Sequence, residues 1–105
     1  MTQGVSEKVD FTGLLAGIAG SAVAVLSQVE VLLEPGTEAP SPEETRKRVS
    51  DGLAGARQLI DTLAVLEEKT KGNLTPEEQE LLETALGELR IRFVSLSSRQ
   101  VPEEK

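Results

Sequence analysis

The side chains with the means to do chemistry in this chain are carboxylates. Glu77, Glu80 and Glu83 cluster in one stretch, and Glu67 and Glu68 sit together in another. Clustered carboxylates are the raw material of a divalent-cation site. Helical bundles that hold two iron ions combine inward Glu with Glu-x-x-His pairs. The His half of that pattern is missing, because the chain has no histidine. With it go the commonest general base and the usual activator of a nucleophile. Tyr and Cys are absent too, which leaves no thiolate ligand and no disulfide. Ser21, Ser27, Ser50 and Ser95 have no activating partner, and no Gly-x-Ser-x-Gly elbow surrounds them. Gly13, Gly17 and Gly20 lie in an apolar helical repeat rather than after a strand, and Gly-Lys-Ser/Thr is missing, so a phosphate loop fails on context. The expectation is a protein that is not an enzyme and carries no cofactor and no metal. Helix-end electrostatics and solubility account for the carboxylates.

Composition narrows the partners. A chain of 105 residues suits one domain. Hydrophobic residues make up 38 %, and Phe11 and Phe93 are the two aromatics, so the core must be Leu, Val, Ile and Ala. Such a core is thin at this size, which presses toward self-association. The net charge is −7 and the pI about 4.6. That sign repels phosphate backbones and anionic headgroups, so no nucleic-acid partner is expected and membrane association is disfavoured. Arg46-Lys47-Arg48 is a short basic run. Glu43 and Glu44 precede Lys47 and Arg48 by four residues, so it reads as a solvated helix face. The absence of Cys fits a reducing cytosol. The first ten residues include Glu7, Lys8 and Asp10 and lack the basic and apolar regions of a secretory signal. A cytoplasmic location is expected.

The elements that must position these residues read as all-α. The expected architecture is a three-helix antiparallel bundle built on a helical hairpin and completed by self-association. One helical domain spans 11–98, with helices at about 11–34, 42–71 and 76–97 and a linker at 35–41. A flexible arm at 1–10 and a tail at 99–105 flank it. Thr75-Pro76-Glu77-Glu78 is a capping box with Pro at the first helical position. Ser41-Pro42-Glu43-Glu44 repeats that start signal, and Asp10 or Thr12 can cap the first helix. Gly72 ends the second helix as a left-handed cap. The third helix shows Leu82, Leu86, Leu89, Phe93 and Leu96 at steps of four and three. The second shows Val49, Leu53, Ala56, Ile60 and Leu63, widened by Leu59 and Leu66; Gly52 and Gly55 mark close packing or a bend. Glu67–Lys71 and Glu88–Arg92 are expected as pairs along one helix.

The first helix is two-faced. Phe11, Leu15, Ile18, Ala22, Val25, Val29 and Leu32 form one stripe; Gly13, Gly17, Gly20, Ala24 and Ser27 form another, rotated by roughly half a turn. No charge lies between Phe11 and Val29. Each helical Gly costs about 1 kcal/mol relative to Ala, so three of them need a compensation. Small side chains let another backbone come close. Gly13, Gly17, Gly20, Ala24 and Ser27 are therefore the candidate interface, with a second copy as the expected partner and a dimer as the simplest assembly. Two other readings stand beside it. The helix binds an amphipathic helix of an unidentified protein as an adaptor, or it associates with a membrane, since its uncharged length is near the ~20 residues a span needs. Its Gly, Ala and Ser content, the lack of Trp or Tyr and the following Glu30 and Glu34 argue against the span.

The run from Asp61-Thr62-Leu63-Ala64-Val65-Leu66-Glu67-Glu68-Lys69-Thr70 through Lys71-Gly72-Asn73-Leu74-Thr75-Pro76-Glu77-Glu78 resembles the signature of a bacterial family known as domain of unknown function 1844. The resemblance continues through Leu81-Leu82-Glu83 and Leu89-Arg90-Ile91-Arg92-Phe93-Val94, with a weaker echo near Phe11 and Leu14-Leu15. The Lys-Thr-Lys-Gly-Asn-Leu-Thr segment is its specific part; the leucine spacing is generic. The resemblance implies a small helical bacterial protein and supplies no activity.

Overall fold

The computed structural model describes residues 10–36 and 41–99. Most of the arm, linker and tail expected at 1–10, 35–41 and 99–105 lies outside these residues. Three helices follow one another: α1 (Phe11–Leu33), α2 (Pro42–Lys69) and α3 (Pro76–Ser97), with no strand among the described residues. Each helix packs against both others. Arg92 meets Ser27 and Glu30, and Arg99 meets Glu34, so α3 runs in the same direction as α1 and α2 returns between them.

Local chemistry sets the ends. Asp10 is extended and its Oδ1 accepts from the Gly13 N–H at 2.8 Å. Ser41 does the same for Glu44 at 3.0 Å. At Thr75 the capping box closes both ways: the Glu78 N–H donates to Thr75 Oγ1, and the Thr75 N–H donates to Glu78 Oε1. Helix α1 stops one residue before the expected Glu34. Pro35 follows Glu34 and disfavours helical backbone there, and Glu34 takes φ −74° and ψ 138°. Helix α2 stops at Lys69, two residues early. The Thr70 N–H and hydroxyl both turn back to the Leu66 carbonyl, and Gly72 reverses the chain at φ +85°.

The core is aliphatic and lies where the three helices meet. Helix α3 buries Leu82, Leu86, Leu89 and Leu96, with Phe93 half-buried, along the expected line. Helix α2 buries Val49, Ala56, Ile60 and Leu63 as expected. It also buries Thr45, whose hydroxyl donates to the Ser41 carbonyl at 2.9 Å. On α1 the expected stripe is displaced. Leu15, Ala22, Leu26, Val29 and Leu33 are buried, while Phe11, Ile18, Val25 and Leu32 are half-buried. The inward arc is rotated by roughly 40° at 100° per residue. Helix α1 packs against two neighbours, and Leu26 and Leu33 join its buried arc.

Candidate functional site

The face of α1 turned away from α2 and α3 carries the residues singled out as an interface. Gly13, Gly17, Gly20 and Ala24 are all exposed. A methyl group placed on Gly17 or Gly20 would meet nothing within 4 Å, so neither makes a close crossing within the chain. The crossing that does need a glycine is elsewhere: a methyl on Gly52 of α2 would lie 2.7 Å from Val29 Cγ2. Gly55, named beside it, has open space around it.

Around the small residues the exposed surface of α1 stays uncharged. Thr12, Leu14, Ala16, Ser21, Val23 and Gln28 are its other exposed positions between Thr12 and Gln28. An amphipathic surface helix puts charged and polar side chains on its wet face; α1 offers only Thr12, Ser21 and Gln28 there, and no charge. It is also long and apolar enough to cross a membrane by length and composition, with a mean hydropathy of 1.7, and only 22 % of that stretch is buried within the chain. Both properties come from one cause, the lack of charge from Phe11 to Val29.

Ser27, the fifth expected interface residue, has a different setting. It is half-buried, and its Oγ accepts from Arg92 Nη2 at 3.0 Å. The same Nη2 donates to Glu30 Oε1 at 3.0 Å, with the two side chains 34 % and 47 % exposed. Arg92 thus ties α3 to α1 instead of pairing with Glu88 one turn back. The pairing is invisible to helix-spacing rules because its partners lie 62 and 65 positions away. Arg48 pairs with Glu44 at 3.2 Å as expected, while Lys47 turns forward to Asp51 at 3.3 Å rather than back to Glu43.

The carboxylates of Glu67, Glu68, Glu77, Glu80 and Glu83 do not gather into a metal-holding group. Glu83 accepts from Gln79 at 2.8 Å. Among the described residues no three His, Cys, Asp or Glu side chains converge to hold a metal ion.

Neither a curated protein nor a solved structure matches the chain. A family model does, over residues 8–95, and its description reads "Domain of unknown function (DUF1844)". That span is wider than the Lys-Thr-Lys-Gly-Asn-Leu-Thr turn and takes in all of α1. The chain belongs to the DUF1844 family.

Proposed function

We propose that this chain is a non-catalytic helical module of the cytoplasm that self-associates, most simply as a dimer, through the open face of α1. The observation that carries this reading is the run of exposed, uncharged positions from Thr12 to Gln28 in a chain of net charge −7. An exposed helix face without charge, carrying Leu14, Ala16, Val23 and Ala24, supports a contact surface rather than a solvated one. Three glycines along it lower the helix's own stability, and a close helix crossing offsets that cost.

Light scattering after size exclusion tests the reading at tens of micromolar. The expected result is twice the mass of one chain. Gly17→Leu and Gly20→Leu should return one chain mass. Since the space at both positions is open, and Leu is the better helix former, these variants should stay folded. A wild-type chain that runs as a well-folded monomer would refute self-association; leucine variants that keep twice the chain mass would refute the open face of α1 as the contact. Recovery from cells only with detergent would instead place the face in lipid.

A further inference from the structure

We draw no further inference here: the strongest candidate, the outer face of α3 where Ile91 and Val94 stand exposed beside Arg90, is an unpartnered apolar face, and nothing in the structure shows what covers it.

Discussion

Gly52 and Gly55 lie three residues apart on α2 and offer a controlled comparison. Replacing either by Ala gains about 1 kcal/mol of helix propensity. At Gly55 nothing opposes that gain, because the new methyl meets no atom within 4 Å. At Gly52 the methyl would sit 2.7 Å from Val29 Cγ2, about 1 Å inside the usual 3.5–4.0 Å carbon contact. Val29 is 1 % exposed and β-branched, so it has no flexible end to swing aside. Overpacking of this kind costs about 1–3 kcal/mol. The propensity term cancels between the two variants, so Gly52→Ala should be less stable than Gly55→Ala by about 1–3 kcal/mol. For a domain of this size each kcal/mol moves the midpoint by about 4–8 °C. Thermal and urea unfolding followed by circular dichroism, at one fixed protein concentration, measures the gap. Adding Val29→Ala to Gly52→Ala should cost less than Val29→Ala costs in the wild type, because it removes the methyl that clashes. Equal stabilisation by Gly52→Ala and Gly55→Ala would show that α1 and α2 are not in close contact at this point, and the packing of α1 described above would fall with it.

Three further predictions use the same unfolding assay. A double-mutant cycle on Arg92 and Glu30 should give a coupling of about 0.5–1 kcal/mol, since the pair is part-exposed but bonded at 3.0 Å. The same cycle on Arg57 and Asp61, 3.8 Å apart and about 70 % exposed on both sides, should give about 0–0.3 kcal/mol; equal couplings would dismiss Arg92 as an inter-helix tie. Leu82→Ala should cost about 2–5 kcal/mol at a fully buried site, against less than about 0.5 kcal/mol for Ile91→Ala at 73 % exposure. A comparable loss at Ile91 would mean that α3 presents a different face to the core. Thr75→Ala should cost about 1 kcal/mol by opening the capping box, and Thr75→Ser should restore most of it; failure of Ser to restore it would assign the loss to the methyl group rather than the hydroxyl.

What was legible without coordinates was the chemistry that acts over three or four residues. Ser41 and Thr75 announce helix starts because a hydroxyl there reaches a free N–H one turn on, and both bonds form. Gly72 takes the left-handed turn its type suggests. The α3 seam from Leu82 to Leu96 was readable because its leucines and Phe93 recur at steps of four and three, although Ile91 and Val94 stay exposed beside it. Helix α1 has no charged residue before Glu30 to mark a wet side. Apolar and small residues run around its whole circumference, so the pattern could propose a stripe but not select the arc, and Leu26 and Leu33 replaced Val25 and Leu32 at the centre of the core. That choice belongs to the groove between α2 and α3, which exists only when all three helices are assembled. The same holds for which glycine permits a close crossing. Gly13, Gly17, Gly20 and Gly52 look alike along the chain; only the placement of Val29 singles out Gly52 and leaves Gly17 and Gly20 open. Arg92 is the final case: one turn of helix offered it Glu88, and folding offered it Ser27 and Glu30. Caps and seams are short-range and therefore written in the residues themselves, whereas a long side chain finds its partner among groups that three-dimensional packing brings near.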